Sequence, residues 1–222
     1  MLNKYEVQHE HLQQMFNNLG IKLKEASVVC EDGLNTLDVQ KLDSAREKLN
    51  GIDQNANLID QAIVKTLALY GPEADQLREL VSFLKSTNEL VRIAENIKSF
   101  AKKMKSHINN EADFASICEY ATHLAHSAFL AVDFCVASLE ITNKDEASEL
   151  YRKTSVEESK TDDLYSILEK NIMANICKDV EKASESIEIL STMRKLERIA
   201  DRATNITKLM LFARAGGVIK QF

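Results

Sequence analysis

Apolar residues return at helical spacing along the chain, and the clearest case lies near its end. At about 100° per residue, Ile199, Ala203, Ile206 and Met210 share a stripe roughly 60° wide, which suits a core-facing surface. Glu197 and Asp201 project from nearly the opposite face, one turn apart, with Asn205 beside them. Breakers and turn residues divide the chain into six such segments. The first is predicted over about 5–36, with Gly20 and Gly33 tolerated inside it or near its end. Leu37-Asp38 begins the second, which runs to Tyr70. Gly71-Pro72 then supplies a stop and a restart, with glycine suited to the residue after a helix and proline to a first turn. The third helix reaches about His107, and Asn109-Asn110-Glu111 makes the turn before the fourth, which ends near Ile141. Thr142-Asn143 caps the fifth. Lys178-Asp179 marks a short break before the sixth, which fades at Gly216-Gly217. Segments of roughly 30 residues span about 45 Å each, the length of bundle helices.

The two halves of this pattern match. Asp38 and Asn143 begin the second and fifth helices 105 positions apart, and Asp53 and Asn57 stand 105 positions before Glu158 and Asp162. Arg92-Ile93-Ala94-Glu95 aligns with Arg198-Ile199-Ala200-Asp201 at an offset of 106, the extra residue being absorbed in a turn. A constant offset across separate helices predicts an internal duplication. The expected fold is all-α, two tandem three-helix bundles, with a first unit over 1–108 and a second over 109–222.

Composition narrows the function. Hydrophobic residues at 45% exclude a disordered chain, and one proline with six glycines leaves few places to break a helix. The net charge of −6 lacks the basic footprint of a nucleic-acid binder, so no nucleic-acid partner is expected. No stretch approaches the roughly 20 apolar residues of a membrane span, and the N-terminus lacks the apolar run of a signal peptide. The expected location is the cytoplasm, at most peripheral to a membrane. Cys30, Cys118, Cys135 and Cys177 stand far apart, which gives little support to a disulfide framework or a thiolate zinc site.

The carboxylates carry the candidate chemistry. Glu158 and Asp162 repeat the spacing of Glu197 and Asp201 on the neighbouring helix. Packing across the Lys178-Asp179 connection would bring the two pairs together. Four such groups repel unless a cation, or side chains such as Arg194 and Arg198, offset them. Oxygen ligands favour hard cations such as Mg, Mn or Fe over thiolate-type zinc chemistry. The alternative is a solvated helix face, the commoner fate of exposed carboxylates. Enzyme readings find less. His123 and His126 lack an accompanying Glu-x-x-His, the chain has no glycine-rich phosphate loop, and it has no Gly-x-Ser-x-Gly elbow.

Leu196-Glu197-Arg198-Ile199-Ala200-Asp201-Arg202-Ala203-Thr204-Asn205-Ile206 resembles the signature of the PhoU-type phosphate-uptake regulators, with Ala200 in place of its glycine. Tyr70-Gly71-Pro72-Glu73-Ala74-Asp75-Gln76-Leu77-Arg78 is similar to a turn of the same family, with Gln76 where an aspartate is usual. The resemblance implies paired three-helix bundles with metal clusters on the carboxylate faces, Fe, Zn, Mg and Mn being the candidate ions. It also implies a non-catalytic cytoplasmic adaptor that restrains phosphate uptake and signals phosphate sufficiency. The partners it implies are the ATPase of a phosphate ABC transporter and a phosphate-sensing histidine kinase. Glu158, Asp162, Glu197 and Asp201 are the metal ligands expected in the second unit. Asp53 and Glu95 are weaker counterparts in the first, where Val91 and Ser99 replace the signature's glutamate and asparagine. Long amphipathic helices with mixed-charge faces also suit a homodimer. Two other functions fit parts of the pattern. One is an accessory role to a low-affinity phosphate carrier, and the other a metal-carboxylate enzyme on a helical bundle.

Overall fold

The computed structural model describes residues 2–109, 118–177 and 183–216, and among them every regular element is helical. In chain order these are α1 (Leu2–Asn35), α2 (Val39–Lys48), α3 (Ile52–Tyr70), α4 (Ala74–Asn109), α5 (Cys118–Ser138), α6 (Lys144–Ile176) and α7 (Ala183–Ala215). The second helix expected from the sequence is therefore two. Leu49 and Asn50 leave the helix, and Gly51 takes a left-handed backbone with φ of 74°, a conformation that costs glycine nothing. Apolar spacing continues through Leu49 and Ile52, both fully buried, so periodicity alone hides the break.

The other boundaries follow local chemistry. Asp38 accepts the Gln40 and Lys41 amides at 2.9 and 3.4 Å and so caps α2. Its repeat equivalent Asn143 accepts the Asp145 and Glu146 amides at 2.7 and 3.3 Å and caps α6. Each such cap contributes about 1 kcal/mol. Gly71 closes α3 with φ of 53° and donates its amide to Leu67 O at 3.2 Å. The start of the fourth expected helix, the Asn110-Glu111 part of its turn, the Lys178-Asp179 break and Gly217 lie outside the described residues.

The first bundle consists of α1, α2 with α3, and α4; the second consists of α5, α6 and α7. Side-chain pairs fix the direction of each contact. Glu79–Arg214 and Glu89–Arg202 run α4 against α7 in opposite senses, and Glu31–His126 with Gln13–Leu139 do the same for α1 and α5. First helix meets first helix and third meets third, each antiparallel, so the bundles lie side by side about an approximate two-fold axis. One continuous core runs through both. Phe16 stacks on Phe83 with ring centroids 4.6 Å apart, and Phe100 meets Phe129 edge-on at 6.4 Å across the joint. Ala94 and Ala200, equivalent in the repeat, are both fully buried, so the signature's small-residue position is a packing site.

Candidate metal centre

Helix α6 lies antiparallel to α7, and the register places Glu158 beside Asp201 and Tyr165 beside Arg194. Asp162 completes the group. Glu158, Asp162 and Asp201 each bring a carboxylate oxygen to within 4.8 Å of the other two. Glu158 and Asp201 are half-buried and Asp162 is exposed. The sequence placed the acidic face of α7 toward solvent. In the folded chain α6 packs beside it, so the carboxylates stand where the two helices meet.

Glu197, one turn before Asp201 on α7, is paired with an arginine. Its Oε2 lies 3.2 Å from Arg194 Nε in an ion pair, its side chain is only 13% exposed, and it makes no hydrogen bond through that oxygen. Arg194 in turn covers the Tyr165 ring, 5.0 Å from its centroid. Glu197 thus borders the three-carboxylate group without belonging to it.

Electrostatics mark the same place. Burial pushes the Asp201 carboxyl up, Asp162 pushes it further, and Arg194, Arg202 and Arg198 offset part of the rise. Glu158 is raised by burial and by the charges of Asp162 and Asp201. Glu197 is raised by burial and Asp201, with Arg194 opposing. Burial is the first cause of all three rises, and the neighbouring carboxylates add to it while the arginines only partly oppose it. A cation bound there would offset the carboxylate charge, and three carboxylate oxygens from two helices are the donor type a hard ion takes.

The first bundle differs. Asp53 lies exposed in the first turn of α3, and Glu95 lies exposed on α4 beside Lys98 and Lys102. Among the described residues neither joins a group of three metal-capable side chains. Val91 packs half-buried against the core. Other sequence candidates are accounted for by packing or pairing. His126 Nδ1 sits 2.7 Å from Glu31 Oε1, and burial pushes the Cys30 thiol up to about 12 and raises Cys135 as well, the opposite of an activated nucleophile.

Two features were not foreseen from sequence. One is a buried ionic joint in which Glu79 on α4 meets Arg214 on α7 and His9 on α1. The other is the link from Arg202, inside the signature, to Glu89 Oε2 at 2.7 Å. The partners stand 135 and 113 residues apart, beyond any local pattern, although an arginine following Asp201 in a signature helix hints at a fixed role.

Comparison with known proteins identifies the family and supports the fold. A family profile described as the PhoU domain matches residues 29–104 and 116–210. A phosphate-specific transport system accessory protein PhoU homolog of Xylella fastidiosa is 27% identical over 173 residues, covering 77% of this chain and 71% of that protein. A homolog with the same description from Streptococcus pneumoniae is 23% identical and covers 99% of both chains. The crystal structure of PhoU from Pseudomonas aeruginosa superposes with a TM-score of 0.83 at 20% identity, covering 96% of this chain and all of the other.

Proposed function

The chain belongs to the PhoU family, and from that premise we propose that it is a non-catalytic accessory protein of a phosphate transport system whose second bundle carries a metal centre. The observation that supports it most is the convergence of Glu158, Asp162 and Asp201, two of them from α6 and one from the signature helix. Glu197 holds Arg194 in place beside the group and so sets how much positive charge reaches it. The ion is hard and oxygen-liganded, with Mg, Mn and Fe ahead of Zn. Asp53 and Glu95 offer the first bundle a weaker site, because charge count sets much of the affinity for such ions.

The chain acts by docking. The relatives named above are described as accessory proteins of a phosphate-specific transport system, and this chain is assigned the same role. Its partners are the ATPase of a phosphate ABC transporter and a phosphate-sensing histidine kinase. It works in the cytoplasm as a homodimer; no helix among the described residues is long and apolar enough to cross a membrane. Affinity capture of the tagged chain from phosphate-replete cells tests the assignment. The transporter ATPase or the kinase should be recovered above an untagged control. Recovery of neither, with the bait intact, would set the adaptor role aside.

A further inference from the structure

The break between α2 and α3 opens a groove of about 580 Å³ in the first bundle, within the range of small-molecule sites. The equivalent stretch of the second bundle lies inside the unbroken helix α6. One wall is α4, which presents Lys98 and Lys102 one turn apart with Ser99 and Glu95. The facing wall is α2, which presents Arg46 and Glu47, and Asn50 closes the end where the helix breaks. Helix α3 begins next to Asn50 with no side chain capping its first amides.

The charges in the groove are not all balanced internally. Asp43 is fully engaged, with Lys105 Nζ at 2.5 Å and Arg46 Nη1 at 3.1 Å. The hydrogen bond from Lys105 lowers its carboxyl, burial opposes this, and the Lys105 and Arg46 charges reinforce it. Lys98 and Lys102 make no ion pair among the described residues, and neither do Glu47 and Glu95. Two unpaired ammonium groups, and a guanidinium that shares Asp43 with Lys105, therefore face a cavity that also offers two free carboxylates, an amide and a hydroxyl. The set is only partly repeated in the second bundle, which keeps Lys208 for Lys102 and Asp201 for Glu95. The repeat equivalents of Arg46, Glu47 and Lys98 are Tyr151, Arg152 and Thr204.

We propose that this groove binds a phosphorylated, hydroxyl-bearing small molecule of the size of a nucleoside monophosphate or a sugar phosphate. Lys98, Lys102 and Arg46 take the phosphoryl oxygens, for which ammonium and guanidinium groups are suited donors. Glu47 and Glu95 accept hydrogen bonds from the hydroxyls, which explains carboxylates in a site built for an anion. The site is separate from the carboxylate group of the second bundle and needs no metal.

Isothermal titration of the full chain with AMP and glucose 6-phosphate, each to about 5 mM, tests this, with adenosine, glucose and inorganic phosphate as controls. At least one phosphorylated compound should bind, and its unphosphorylated counterpart should bind at least ~10-fold more weakly. Which of the two binds separates a nucleotide from a sugar phosphate. The Lys98→Gln/Lys102→Gln variant should lose at least ~10-fold in affinity, whereas Glu158→Gln/Asp201→Asn should bind as the parent does. Failure of both phosphorylated compounds, or binding indifferent to the lysine pair, would overturn the proposal. Loss of binding in the second-bundle variant, or equal binding of inorganic phosphate, would overturn it too.

Discussion

A saturating hard divalent cation should raise the melting temperature of the metal-free protein by roughly 5–11 °C. An ion present at about 100 times its dissociation constant contributes about 2.7 kcal/mol, and each kcal/mol moves a chain of this size by roughly 2–4 °C. The gain should vanish in the Glu158→Gln/Asp162→Asn/Asp201→Asn variant, which removes the converging anions and leaves the helices alone. The same variant, without metal, should be the more stable of the two at neutral pH. Glu158 and Asp201 have carboxyls raised by burial and by one another's neighbours, so the folded state holds their protons more tightly than the unfolded chain does. Their favourable contribution is complete below the ordinary carboxylate range near 4 and is lost as pH rises through the raised values. The variant's advantage should therefore shrink as pH falls from about 7 to about 4. Calorimetry of both proteins in chelator checks the sign. An advantage that grows toward acid would mean that the carboxylates are compensated already.

Glu79→Ala should cost about 3–5 kcal/mol, or roughly 6–20 °C in melting temperature, a larger effect than any surface charge change. Arg214 is 10% exposed and Glu79 12%, so the variant strands a guanidinium in the joint between the bundles, where among the described residues only the Ile141 carbonyl still accepts from it, at 2.7 Å. Burial alone would raise the Glu79 carboxyl. His9 Nε2, 2.8 Å away, and the Arg214 charge outweigh that and hold it below the usual range. Its contribution is thus present at neutral pH and is lost as pH falls below about 4 through the lowered value. Arg214→Ala should cost less than Glu79→Ala, because His9 still serves the carboxylate. The double variant should cost less than the two single losses added together, since they share one interaction. Urea melts of the three variants measure this. Strict additivity would mean that the pair does not join α4 to α7 energetically.

Long-range pairing is also what the sequence could not supply. Helix identity and the duplication were legible because each rests on local spacing. Asp38 and Asn143 cap their helices as their residue types require, and Gly71 ends α3 as a left-handed residue. The break at Asn50-Gly51 was not legible. Leu49 and Ile52 on either side of it keep the apolar rhythm, and only the glycine's backbone freedom distinguishes the site from continuous helix. At the candidate centre, i and i+4 spacing marked carboxylates on α6 and α7, yet it could not show which of the four converge. Arg194 draws Glu197 away while Asp162 of α6 joins Asp201, and that outcome depends on helix packing. Glu79, Arg214 and Glu89 are unremarkable charged residues until the bundles meet.

On the proposed function, the carboxylate group of the second bundle serves phosphate signalling. Expression of phosphate-starvation genes in phosphate-replete cells tests it most directly, with the native gene deleted and then replaced by wild type or by Glu158→Gln/Asp201→Asn. Deletion should raise expression, wild type should restore repression, and the variant, present at wild-type level, should fail to restore it. A variant that represses as well as wild type, or a deletion that leaves expression unchanged, would contradict the account.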